Sequence, residues 1–347
     1  MQRQMDSIIL YCLKQLNRER TVFSIFHLLK GKKSSQTIQD AHLFSLKRFF
    51  GVCEILTRET FEEIVQKLHK NEWITHCGNQ RYTLTPIGES ILKTYQLPSF
   101  INGWDFHPLT TLFWERLSLF IQVASNYAYH ETNYIPIQKD ESVQSWIKMT
   151  LKKIMIPKQD IGKMMNKELM DCLENAEALN PSLLVFRLTG YQKIGLTSFQ
   201  AAEKFQLDFV DYHISFIHIL HYLLSVVIGN PARFPLLKLL IDGVKENNDL
   251  TQSTSITLEM LVQGHSLEMI AGRRNLKVST IEDHIVELAL QMEDFSIDPY
   301  VERELCEEIL EISRLSSTKQ LKVIKDKVST ASYFQIRLVL AKYGGAK

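Results

Sequence analysis

Runs of helically spaced apolar residues, each closed by a short polar turn and followed by another run, set the limits on this chain. Ile9, Leu10, Leu13 and Leu16 mark one side of a helix over residues 6–17. A second helix is expected over 21–30, stopped by Gly31. Lys32, Lys33 and Ser34 form a turn, and a third helix runs from Ser35 to about Phe50 with Ile38, Leu43 and Leu46 inward. Helix, short polar turn, helix is the layout of a helix-turn-helix. With only 14 glycines and 9 prolines in 347 residues, helix breakers are rare. The expected fold class is mainly α, with several helix-turn-helix units in two or three domains.

One stretch departs from this pattern. After a helix over 58–70, Trp73 to Thr85 reads as two short extended runs around Gly78-Asn79, a β-hairpin, and Pro86 opens another helix. Helices, hairpin and the phrase YTLTPIGESIL resemble a winged-helix domain, in which such a phrase closes the wing. That resemblance covers residues 1–97.

Charge is unevenly spread behind a net of +1. Residues 1–97 carry 14 Lys and Arg against 9 Asp and Glu, whereas residues 251–295 carry 3 against 7. A polyanion is therefore expected to meet the N-terminal segment first. Lys30, Lys32 and Lys33 precede Ser34, Ser35 and Gln36 at a helix start, where free N–H groups already favour phosphate. With Lys47, Arg48 and Arg81, these residues form the candidate DNA-binding set.

Residues 98–250 form a helical middle domain whose Trp104, Phe106, Trp114, Phe120 and Trp146 read as core. Its most apolar stretch, Phe216 to Ile228, is too short to span a bilayer. An internal echo lies here. Gly195 to Ala202 overlays Gly264 to Ala271, and Leu207, Phe216 and Ile219 then fall on Leu276, Ile285 and Leu288. A helix-turn-helix is accordingly expected at 195–224. His218 and His221 read as histidines at the edge of an apolar helix, because a metal site needs further ligands. Asp208 and Asp211 lack the second acidic cluster that a two-metal nuclease needs.

In the last domain, 251–347, helices are expected over Thr257–Val262 and Ser266–Gly272, with a third opened by a capping box at Ser279 to Glu282. Gly264, Ser266, Ile270, Ala271, Arg274, Leu276, Ser279, Thr280, Ile281 and His284 resemble the helix-turn-helix at the C-terminus of RecQ-family DNA helicases. With FSIFHLLKGKKSSQTIQDAHLFSLKRFFG near the start, the whole chain resembles the YpbB family of Firmicute bacteria. That resemblance implies a role in DNA repair or recombination beside a RecQ-type helicase.

The third C-terminal helix carries Glu282, Asp283 and Glu287, expected to be exposed, which would repel phosphates. It is therefore expected to dock a protein through these carboxylates, with Arg273, Arg274 and Lys277 in the turn meeting a partner or a backbone. The chain holds no GxxxxGK[ST] loop, HExxH, GxSxG or CxxC, and its five scattered cysteines read as cytosolic thiols. The reading is thus a cytoplasmic, nucleoid-associated DNA adaptor rather than an enzyme, with no cofactor, metal or membrane partner. A sequence-specific transcriptional regulator is the alternative.

Overall fold

In the computed structural model, residues 3–174, 176, 179–243, 250–316 and 319–344 are described. Among them the chain is helical apart from one two-stranded sheet. The first segment holds α1 (Gln4–Leu16), α2 (Phe23–Leu29), α3 (Ser35–Leu43) and α4 (Arg58–Lys70), then β1 (Ile74–His76), β2 (Tyr82–Leu84) and α5 (Pro86–Thr94). Helix α3 stops at Leu43 rather than near Phe50, because Ser45 turns left-handed at φ 54° and a 3-10 turn follows at Lys47–Phe49. The strands are antiparallel, Ile74 opposite Leu84 and His76 opposite Tyr82, and Gly78, Asn79 and Gln80 all take positive φ at the tip. Thr85 caps α5, and a Cβ added at Gly88 would fall 2.0 Å from the Trp73 carbonyl oxygen. Only glycine lets α5 close onto the hairpin.

The middle segment holds α6 (Gly103–Ala128), α7 (Glu141–Lys153), α8 (Lys158–Leu173), α9 (Ser182–Val185), α10 (Ser198–Lys204), α11 (Phe209–Gly229) and α12 (Pro235–Leu239). The last holds α13 (Gln252–Val262), α14 (Leu267–Arg274), α15 (Val278–Gln291), α16 (Arg303–Leu315), α17 (Leu321–Lys327) and α18 (Tyr333–Tyr343). Helix α15 begins at Val278 with Lys277 as a cap that makes no side-chain bond, so the capping box expected at Ser279 is not its start.

The chain divides into two compact units, Met1–Ser7 with Gln96–Lys245, and Ile8–Tyr95 with Glu246–Lys347. The two ends, read from the sequence as separate domains 1–97 and 251–347, therefore fold largely together, and the middle segment forms the other unit.

In the middle unit, Phe113, Leu117 and Phe120 of α6 join one core with Ile161 and Met165 of α8 and Tyr212, Ile219 and Leu223 of α11. At 21 residues, α11 is long and apolar enough by length and composition to cross a bilayer, longer than the stretch read from the sequence. Its polar side chains are spent inside the unit. Asp208 caps the helix, and Asp211 accepts the Met5 N–H at 2.9 Å. His218 Nε2 accepts the Phe100 N–H at 3.0 Å. His221 Nδ1 accepts the Asn102 N–H at 3.0 Å, so its proton sits on Nε2, 2.9 Å from the Thr110 hydroxyl. Burial lowers this ring's pKa to about 3 and keeps it neutral.

The internal echo has a geometric counterpart. Thr197 caps α10 as Ser266 caps α14. Gln206 and Asn275, at the same spacing, both turn left-handed at φ 54° and 52°. The next residue then bonds back alike, Leu207 N–H to Ala202 at 3.0 Å and Leu276 N–H to Ala271 at 2.9 Å.

Candidate nucleic-acid interface

Helix α15 stands where a helix-turn-helix places its recognition helix, and the structure leaves little of it free. Helices α3, α13, α14 and α18 pack around it. His284 to Ala289 are buried one after another, and only Lys277, Val278 and Ser279 are exposed at its start.

The carboxylates expected on its surface point elsewhere. Glu287 is 4% exposed; one oxygen accepts the Thr251 N–H, and the other takes the Thr254 hydroxyl at 2.8 Å and the Thr251 hydroxyl at 3.1 Å. It caps α13 from outside that helix. Asp283 pairs with Arg337 of α18 at 2.6 Å. Glu282 is half-buried, and burial outweighs the nearby Arg337 to push its carboxyl up. The expectation of three exposed acids is overturned, because α18 meets Asp283 and lies beside Glu282, and the start of α13 takes up Glu287.

Arg274 turns inward as well. Its guanidinium donates to the Ser253 carbonyl and hydroxyl, each at 2.8 Å, and to the Thr257 hydroxyl, which lies 2.8 Å from His284 Nδ1. Burial first, and Arg274 second, lower the His284 pKa. Arg274, Thr257 and His284 thus tie α13, α14 and α15 together, so two residues that carry the sequence pattern serve the fold. Arg273 stays exposed beside His265, and Lys277 stays exposed at the α15 start. Arg273, Lys277, Val278 and Ser279 form the accessible tip of this helix-turn-helix.

At the other end of the chain, Lys32 and Lys33 are exposed in the turn before α3. Ser34 caps α3 by accepting the Thr37 N–H at 3.3 Å; Ser35 is half-buried and Gln36 donates to Asp40 at 2.8 Å. Lys30 reaches the Glu54 carbonyl. The body of α3 cannot enter a groove, since Thr37 to Ala41 are all buried and its far side packs on α15 and α18. Arg81 is half-buried beneath the hairpin tip, whose Gln80 carbonyl accepts the Val22 N–H at 2.9 Å. Lys47 and Arg48 lie apart from this turn, in a cleft shared with α16 and α18.

The sequence analysis placed α4, the helix that leads directly into the wing, but drew no candidate residue from it. Arg58, Gln66, His69 and Lys70 are exposed on it, while Phe61, Val65 and Leu68 are buried. Its strong amphipathic period was legible; that it, rather than α3, borders the wing is a matter of chain order.

A helix-turn-helix domain family matches residues 253–340, which span α13 to α18. Protein YpbB of Bacillus subtilis (strain 168) is 34% identical over 343 residues, covering 97% of this chain and 97% of that protein. The chain is a member of the YpbB family. No solved structure matches it. In this YpbB-family chain the helix-turn-helix domain suggests DNA binding.

Proposed function

We propose that this YpbB-family chain is a non-enzymatic, cytoplasmic DNA-associated factor, and that it serves as an adaptor in repair or recombination beside a RecQ-type helicase. The observation that carries the DNA reading is the helix-turn-helix tip. There the cations Arg273 and Lys277 are exposed, while Glu287 and Asp283 are taken up by internal partners. The repulsion expected between an acidic recognition helix and phosphate is thereby much reduced. Lys32 and Lys33 offer a second basic point in the same unit. Support for the helicase is the resemblance of this module to one that helicases carry. That docking does not rest on the α15 carboxylates, since internal partners take up Asp283 and Glu287 and Glu282 is half-buried.

Duplex binding is measured by gel shift with the full chain and with R273E/K277E and K32E/K33E variants. Each phosphate that goes unneutralised should lower the log–log salt slope by roughly 0.9. Native chain that binds no duplex, or variants that bind as well as native, would refute the reading. A pull-down with and without nuclease treatment tests the helicase, which should stay bound when DNA is removed.

The alternative of a sequence-specific regulator draws on one feature. Residues at the start of a recognition helix are those that reach base edges, and Val278 and Ser279 are exposed there. A regulator protects a few defined sites in footprinting, and an adaptor protects none.

A further inference from the structure

A strongly basic concavity lies in the same unit, away from the helix-turn-helix tip. Lys47 and Arg48 of the 3-10 turn line it, with Arg314 at the end of α16, Lys319, and Lys342 and Tyr343 at the end of α18. The cleft has a volume of about 1190 Å³. Its lining holds those five cations against one carboxylate, Glu19, whose two oxygens both accept the Lys319 backbone N–H at 3.0 Å. His42 also lines it, and burial, aided by Lys47, lowers that ring's pKa to about 3, so it adds no charge.

The fold holds two of these cations through backbone carbonyls. The Lys319 ammonium is held by the Leu43 carbonyl, and the Lys342 ammonium by the carbonyls of Met292, at 3.1 Å, and Glu293. Carbonyls carry no net charge, so Lys342 is paired with no acid among the described residues, whereas Glu19 lies close enough to Lys319 to act on its charge. Arg314 is exposed and held by no ion pair among the described residues. Tyr343, which borders the cleft, is 51% exposed.

We propose that this cleft binds single-stranded nucleic acid, with the phosphates along Lys47, Arg48, Arg314 and Lys342 and a base stacked on Tyr343. Clustered cations beside an open aromatic ring make the combination that tracks a strand without reading its sequence. A cleft of this volume has room for a few splayed nucleotides. The proposal rests on the DNA reading above and adds a second site, built from both ends of the chain, that takes a different form of the polymer.

Fluorescence anisotropy of the full chain with a labelled oligothymidylate and a labelled blunt duplex tests it. K47Q/R314Q should weaken oligothymidylate binding roughly tenfold and lower the salt slope by roughly 1.4, two phosphates at about 0.7 each, leaving the duplex unchanged. Tyr343→Ala should cost at least about fivefold for the single strand alone, with the slope unchanged and Tyr343→Phe restoring the loss. Helical circular dichroism verifies folding, and should the double variant misfold, Tyr343→Ala decides. The cleft is refuted if native chain ignores oligothymidylate, if the double variant loses duplex and single strand alike, or if Tyr343→Ala is neutral, which would leave a site for acidic peptide or polyphosphate. Binding of duplex without single strand sinks the cleft and spares the helix-turn-helix; the reverse sinks the helix-turn-helix and spares the cleft.

Discussion

Glu287 shows how much a single residue's surroundings can change its meaning. On the sequence it is one more acid on an amphipathic helix. In the structure it is buried and accepts one N–H and two hydroxyls at the start of α13. Nothing in the sequence warned of this, since Glu287 falls with Thr280, Asp283 and Gln291 on the polar side of α15. Removing the carboxylate strands donors that water cannot reach. Glu287→Ala should therefore cost about 2–3 kcal/mol, the order expected when buried partners are left unpaired. Glu287→Lys should prevent this unit from folding, because it buries a charge among donors. Denaturant titration followed by tryptophan and circular dichroism checks both. A loss below about 0.5 kcal/mol for Glu287→Ala, the range of ordinary surface changes, would show that the cap contributes little.

At the scale of elements, local chemistry was legible and helix partners were not. The wing, its Gly-Asn tip, Pro86 at the start of α5, and the caps Ser34, Thr197 and Ser266 follow from turn and cap preferences that act within a few residues. The end of α3 is hidden because nothing in Leu43-Phe44-Ser45 marks a stop; Ser45 turns left-handed there. The paired turns of the internal echo make this strain testable. Asn275 adopts the left-handed region readily, whereas Gln206 has no such excuse and is exposed, so its side chain packs against little. Gln206→Gly should stabilise the middle unit by up to about 1 kcal/mol, relief of the Cβ clash being partly offset by a freer unfolded chain. Asn275→Gly should be nearly neutral. Equal effects at the two positions in denaturant titration would mean that the shared turn is not what sets the strain.

At the scale of the whole molecule, the sequence suggested domains in chain order, and the structure closes one unit from both ends. Periodicity identifies a helix's buried face but not what covers it, so the packing of α3 on α15 and α18 could not be read in advance. The contacts that close the unit are remote in sequence. Glu19 accepts the Lys319 N–H, and the Arg337 and Gln39 side chains approach each other at 3.4 Å. Such pairings pay a large loop-closure entropy before they reward it, which slows folding. Fragment 1–97 should accordingly be a poor stand-in for its part of the protein. Without α15 and α18, the buried Gln39 and the apolar side chains around it would face water. The isolated fragment should show broadened amide resonances and reduced helicity, as should 251–347 on its own. Mixed in equal amounts, or coexpressed, the two should recover helical circular dichroism and elute together. If fragment 1–97 alone gives dispersed, sharp amide signals and a cooperative melt, the wing is an independent domain, and its packing on the C-terminal helices is not what makes it fold.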